Sequence, residues 1–246
     1  SNYGVTDSMT VNAEQTWYSY DGEAVVLTQE GFTFTNNGVV GSYRDSASEA
    51  MTVAFAINSA GSAGGAVVNN GRISLENQSA SMGGGTTFAV SGGTFSSMTN
   101  HGTIEAYGAG GRVSALSVGN VYNHGTITAT AAAGPVIAVD LQWYDFQNYG
   151  AITAHCGGPL QIFQDISWQG RPFSVAVVAY RGTHANHGEI TATSVLPNGS
   201  VGIWFEVNGE SLETFVNTGV ITADEAIHVR SDSFAVNKFK YRIGAD

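Results

Sequence analysis

The sequence predicts an all-β fold, a single-domain parallel β-solenoid, from three observations. The first is an internal repeat of the form Asn-x-Gly-x-(Ile/Val), present in seven copies. They are Asn36-Asn37-Gly38-Val39-Val40, Asn69-Asn70-Gly71-Arg72-Ile73, Asn100-His101-Gly102-Thr103-Ile104, Asn123-His124-Gly125-Thr126-Ile127, Asn148-Tyr149-Gly150-Ala151-Ile152, Asn186-His187-Gly188-Glu189-Ile190 and Asn217-Thr218-Gly219-Val220-Ile221. The second is the alternation that follows each glycine: Ile127 and Ala129 point one way and Thr126 and Thr128 the other, as in a strand buried on one face. The third is composition. Glycine occupies 32 of 246 positions, proline only 4, and charged residues 12%, which suits apolar strands joined by many tight corners.

Successive repeat asparagines lie 33, 31, 23, 25, 38 and 31 residues apart, so a shortest unit of 23 to 25 carries insertions of variable size. Each unit supplies the strand after its glycine. A second strand follows in each interval: 51–57, 87–91, 113–118, 136–141, 173–180, 202–207 and 226–230. These stretches are β-branched, short and bounded by Gly, Asn or Ser, which argues against helix. A third short strand precedes the asparagine, as in Phe32-Thr33-Phe34-Thr35 and Thr214-Phe215-Val216. Two or three strands in about 23 residues make one coil, and the chain holds about seven to eight of them.

One coil cannot bury its inward face alone. Stacked at about 4.8 Å, coils pair each strand with its copies above and below and pile Ile, Val, Leu and Phe into a continuous core. Glycine at the third motif position suits a corner with positive φ or a close backbone approach. The asparagine two residues earlier can place its amide against the same turn or the next coil, which predicts a stacked asparagine row. Residues 1–31 read as an N-terminal cap and first coil, 32–230 as repeat coils, and 231–246 as a C-terminal edge. In that edge Lys238, Lys240 and Arg242 alternate with apolar residues and would discourage end-to-end growth.

Twenty acidic against nine basic side chains give a net charge of −11, so no nucleic-acid footprint is expected. One cysteine, Cys156, excludes an internal disulfide framework and any multi-cysteine metal site. No window approaches 18 consecutive apolar residues, and Ser1-Asn2 does not begin a signal peptide. The segment is expected not to insert into a membrane, and to be soluble or already processed.

Seven Asn-x-Gly-x-Ile-Thr-Ala-like units with Gly/Ser-rich insertions, across residues 36–223, resemble the passenger regions of bacterial autotransporters and related secreted adhesins. That resemblance implies a right-handed parallel β-helix. It also implies export from a Gram-negative cell, with secretion or display at the outer surface.

Candidate chemistry is sparse. His101, His124 and His187 share one repeat position, and the first two would lie near 5 Å apart in adjacent coils. Zinc takes three or four convergent ligands, so this row reads as a polar corner rather than a metal site. His155, Cys156 and His184 would add ligands only if their segments folded toward that corner. No metal or cofactor is expected.

The longest insertion carries Asp165, Trp168 and Arg171, shortly after Trp143, Tyr144 and Asp145. Aromatic faces, carboxylates and a guanidinium suit a sugar ring, although tryptophans pinning a loop to the rod would look the same. On the second strands, inward Ile203, Phe205 and Val207 would leave Trp204 and Glu206 outward, and inward Ile227 and Val229 would leave His228 and Arg230 outward. Asp140 would fall on that face two coils earlier. Asp140 and Glu206 could serve as an acid/base pair if about 5–9 Å apart. Outward Thr128, Thr153, Thr191 and Thr222 form a row that could order water, or is simply the β-favouring polar choice.

No phosphate loop, nucleophile elbow or dinucleotide fingerprint is present. The expected function is adhesion or surface presentation without catalysis, toward a host surface, a glycan or another copy of the chain. Trp143, Tyr144, Asp165, Trp168, Arg171, Trp204, Glu206, His228 and Arg230 would form the binding surface. The alternative is a carbohydrate-active β-helix enzyme, a polysaccharide lyase or glycoside hydrolase, using Asp140 and Glu206.

Overall fold

In the computed structural model, residues 3–5, 8–20, 22–27, 31, 33–45, 53–59, 65–79, 86–141, 145–158, 173–180, 182–207, 213–231 and 239–243 are described. All the regular structure among them is β, and every strand pairing is parallel. The strands stack into three ladders, because each coil returns the chain to a position directly beside its predecessor.

The first ladder is an eight-stranded sheet of β3 (Thr16–Tyr20), β6 (Val39–Arg44), β9 (Arg72–Asn77), β11 (Thr103–Gly108), β13 (Thr126–Ala131), β16 (Ala151–Cys156), β19 (Glu189–Ser194) and β22 (Val220–Thr222). The second joins β1 (Tyr3–Val5), β4 (Val25–Leu27), β7 (Val53–Ser59), β14 (Val136–Leu141), β17 (Ser174–Ala179), β20 (Ser200–Val207) and β23 (Glu225–Ser231). The third joins β2 (Met9–Val11), β5 (Thr33–Asn36), β8 (Ala66–Asn69), β15 (Phe146–Asn148), β18 (Gly182–Asn186), β21 (Glu213–Asn217) and β24 (Phe239–Ile243). The long strands β10 (Thr86–Asn100) and β12 (Arg112–Asn123) run through both the second and third ladders and link them. Register shifts between Ser91 and Ser97 in β10 carry it from one ladder to the other.

The register aligns equivalent residues in columns. In the first ladder Trp17, Val40, Ile73, Ile104, Ile127, Ile152, Ile190 and Ile221 face one another rung by rung. Val40 through Ile190 in this column are fully buried, and Trp17 packs on its first member and on Phe34. Each such isoleucine gains about 1.5–3 kcal/mol from burial, which a single coil could not collect. A third-ladder column runs Phe34, Val67, Met98, Val121, Phe146, His184 and Phe215. His184 therefore lies in the core, fully buried beside Phe146 and Phe205, with its Nε2 3.1 Å from the Tyr180 carbonyl. It does not reach the corner row, and that possible ligand falls away.

The asparagine row forms as expected. Nδ2 of each asparagine donates to Oδ1 of the next, through Asn36, Asn69, Asn100, Asn123, Asn148, Asn186 and Asn217, at 2.8–2.9 Å. From Asn69 onward the same Nδ2 also donates to the carbonyl of its own motif glycine, as from Asn123 to Gly125 at 3.1 Å. The register positions flanking the row are Val11 and Ile243, so the amide stack ends at Asn36 and Asn217.

The corner glycines answer a close approach, not a positive φ. A Cβ at Gly71, Gly102, Gly125, Gly150 or Gly219 would lie about 2.0 Å from the preceding corner glycine's carbonyl oxygen, whereas the described glycines at positive φ are Gly31, Gly111 and Gly182.

Residues 1–31 carry strands of all three ladders: β3 continues the first ladder in register with β6, and an Asn12–Gln15 turn stands in place of the Asn-x-Gly corner. The outer side of the second ladder is not a solvated face. Ile137, Val175, Val178, Val201 and Trp204 form a second apolar cluster there, with Tyr180 against it.

Candidate functional site

Three surfaces carry chemistry, and each is built by column alignment. On the second ladder, Asp140, Val178, Trp204 and His228 stand in one column, so Asp140 does lie two rungs from Trp204. The His228 ring stacks on the indole at 4.0 Å between centroids, and the indole N–H donates to Glu206 Oε1 at 2.8 Å. Arg230 Nη1 lies 3.7 Å from the same oxygen, and His228 Nδ1 lies 3.0 Å from Glu225 Oε1. Trp204, Glu206, His228 and Arg230 are thus brought together on neighbouring rungs.

Their exposure differs from the expectation. Trp204 is 5% exposed and Glu206 4%, and Trp204 is part of the apolar outer cluster. The Glu206 carboxylate meets both the indole N–H and the Arg230 guanidinium. Asp140 stands two ladder steps of about 4.8 Å away and two residues back along the strand, with Val178 between. The pair is not set across an open groove. Trp143, Tyr144, Asp165, Trp168 and Arg171 lie outside the described residues.

At the corner, the residue between Asn and Gly forms an exposed stack. His101 lies on His124 at 5.1 Å, His124 on Tyr149 at 4.9 Å, and Tyr149 on His187 at 4.9 Å, with interplanar angles of 17°, 2° and 25°. His187 Nδ1 meets Thr218 Oγ1 at 2.6 Å, which extends the stack by one polar rung. Among the described residues no group of three or more His, Cys, Asp or Glu is placed to hold a metal ion.

The third surface contains the threonine row read from the sequence, together with residues that were not. On the outer side of the first ladder one column runs Tyr18, Gly41, Ser74, Glu105, Thr128, Thr153, Thr191 and Thr222. The next runs Tyr20, Tyr43, Glu76, Tyr107, Thr130, His155 and Thr193. The expected threonine row therefore exists, but it occupies only the C-terminal half of the face. The N-terminal half holds tyrosines and charges.

There Tyr18 and Tyr20 lie 5.3 Å apart, Tyr20 and Tyr43 6.2 Å, and Tyr20 is 73% exposed. Arg72 pairs with Glu105 at 2.8 Å across one rung, and Gln78 Nε2 donates to Glu76 Oε1 at 2.5 Å. Tyr18, Arg72, Glu76, Gln78 and Glu105, with Tyr107 and Thr128, border a cavity of about 470 Å³. Burial, and next the nearby Glu76 charge, raises the Tyr18 phenol above its ordinary value, so Tyr18 is neutral in the working pH range.

The missed signal was available in the motif frame. The position five after each of the first six motif glycines reads Tyr43, Glu76, Tyr107, Thr130, His155 and Thr193, and all project to this face. Tyr18 and Tyr20 were out of reach because their rung lacks the motif.

What the fold and these surfaces define is a parallel β-solenoid with a flat, patterned outer sheet. Comparisons with protein-family models, curated proteins and solved structures find no match to the chain.

Proposed function

We propose that this chain is a non-catalytic binding rod, the passenger part of a bacterial surface-displayed or secreted protein, acting in adhesion or surface presentation. The observation that carries the reading is the outer face of the first ladder. Eight in-register parallel strands hold exposed side chains in columns at about 4.8 Å intervals, on a backbone that every neighbouring rung immobilises. A rigid array of this kind engages an extended partner without losing much conformational freedom on binding. The resemblance of the repeat to autotransporter passengers supports the assignment to a cell exterior. The candidate acid/base residues support the non-catalytic half of the reading: the Glu206 carboxylate is enclosed and engaged by Trp204.

The test has two arms. Beads carrying the chain are expected to be retained on glycan-coated surfaces or epithelial cells, and a polysaccharide panel incubated with the chain is expected to release no new reducing ends or unsaturated uronates. Product that disappears in Asp140→Asn and Glu206→Gln would replace this reading with the carbohydrate-active enzyme. Beads that adhere to nothing would overturn the adhesion half.

A further inference from the structure

We infer that the tyrosine-lined cavity on the N-terminal half of the first ladder is a binding site for a neutral oligosaccharide. It deepens the proposed function by naming a ligand class and a place, and it rests on that reading only for its biological use. The site is built by a notch. In the column Tyr18, Gly41, Ser74, Glu105, Thr128, Gly41 alone lacks a side chain. A Cβ at position 41 would lie 2.5 Å from Cε2 and 2.8 Å from Cδ2 of Tyr18. The Tyr18 ring therefore leans over the empty position, and the glycine fixes where it lies.

Beyond that ring the floor is polar. Ser74 and Thr128 give hydroxyls, Glu76 and Glu105 give carboxylate acceptors, Arg72 gives a guanidinium, and Tyr107 bounds the far side. From Gly41 to the Tyr107 rung is two ladder steps, roughly 10 Å, room for a short chain of sugar rings. A pyranose offers an apolar C–H face for an aromatic ring and a rim of hydroxyls that donate to carboxylates and accept from guanidinium, and the cavity supplies those partners. The volume, about 470 Å³, falls in the range of small-ligand sites.

Charge selects among glycans. The cavity holds two carboxylates and one guanidinium already paired at 2.8 Å, on a chain of net charge −11. Sulfated or sialylated chains would meet repulsion there, and neutral ones would not. The neutral Tyr18 phenol adds a hydroxyl without adding charge.

A glycan array carrying neutral, sialylated and sulfated oligosaccharides, together with Lys/Arg-rich peptides, tests the site with the whole chain. Neutral oligosaccharides are expected to bind. Tyr18→Ala and Tyr107→Ala should each weaken binding at least tenfold, Tyr18→Phe should keep most of it by preserving the ring, and Gly41→Ala should weaken it by displacing the ring. Tyr149→Ala, on the corner stack, should leave it unchanged, and circular dichroism with thermal melting checks that each variant is folded. Preference for acidic glycans or basic peptides, silence of the wild type on neutral ones, or indifference to Tyr18→Ala and Tyr107→Ala in folded protein would overturn the inference. Bead adhesion that survives Tyr18→Ala would sink this site and leave the adhesion reading standing, whereas loss of both in the wild type would sink both.

Discussion

A buried asparagine amide has two donors and two acceptor sites, and the stacked row satisfies them only because each neighbour is another asparagine. Asn123 is fully buried, donates to Asn148 Oδ1 and accepts from Asn100 Nδ2, each at 2.8 Å. Replacing it with leucine removes both bonds and leaves two buried polar groups short of partners. We expect Asn123→Leu to cost about 3 kcal/mol in urea denaturation. Asn123→Asp should cost more, since a carboxylate cannot donate onward and is buried with its charge. Asn36 has an amide neighbour on one side only, Val11 standing on the other, so Asn36→Leu should cost distinctly less. Equal losses at positions 36 and 123 would show that the row does not act as a chain of coupled bonds. These asparagines were legible in the sequence because the physical demand recurs at every coil. The enclosure of Trp204 and Glu206 was not, since alternation predicts which side a residue faces and not what lies over that side.

At the scale of the strand and its corner, the constraint is the distance between one rung and the next. A methyl group at Gly125 would stand about 2.0 Å from the Gly102 carbonyl oxygen, so Gly125→Ala must force β11 and β13 apart at the corner. We expect a loss of about 3 kcal/mol or more, with faster amide hydrogen exchange in these two strands than elsewhere. Gly157→Ala is the matched control: the nearest atom to its Cβ is 3.5 Å away, and the change should stay within about 1 kcal/mol of neutral. If both substitutions were tolerated alike, the close approach would not be what selects glycine. The strands themselves were largely readable from the motif, and β14 falls on the expected residues 136–141. What escaped was the double burial of the second ladder. Its signal was present in Val136-Ile137-Ala138-Val139 and Ser174-Val175-Ala176-Val177-Val178-Ala179, near-continuous apolar runs of the kind parallel strands show when covered on both faces.

Over the whole molecule, nearest-neighbour pairing makes stability a sum along the axis, and Cys156 is placed to report on it. Its thiol is fully buried at the end of β16, between the rungs of β13 and β19, and lies 3.3 Å from the Gly134 carbonyl. Burial raises it above its ordinary value of 9.0. Folding therefore favours the protonated thiol, and this contribution is present below pH 9 and is lost as pH rises through the folded value. Wild type should lose stability from about pH 9 upward more steeply than Cys156→Ala. The comparison isolates the thiol, since Tyr18, also raised by burial, is common to both. At pH 8 a thiol reagent should label Cys156 only as fast as the surrounding coils open, and Asn148→Leu, one corner before β16, should accelerate labelling more than Asn36→Leu at the far end of the row. Labelling of native protein at the rate of an exposed thiol, or parallel pH profiles for wild type and Cys156→Ala, would contradict the packing of that rung. Acceleration that is the same from both ends would mean that the rod opens as one unit, and rung-by-rung summation would then fail for this chain.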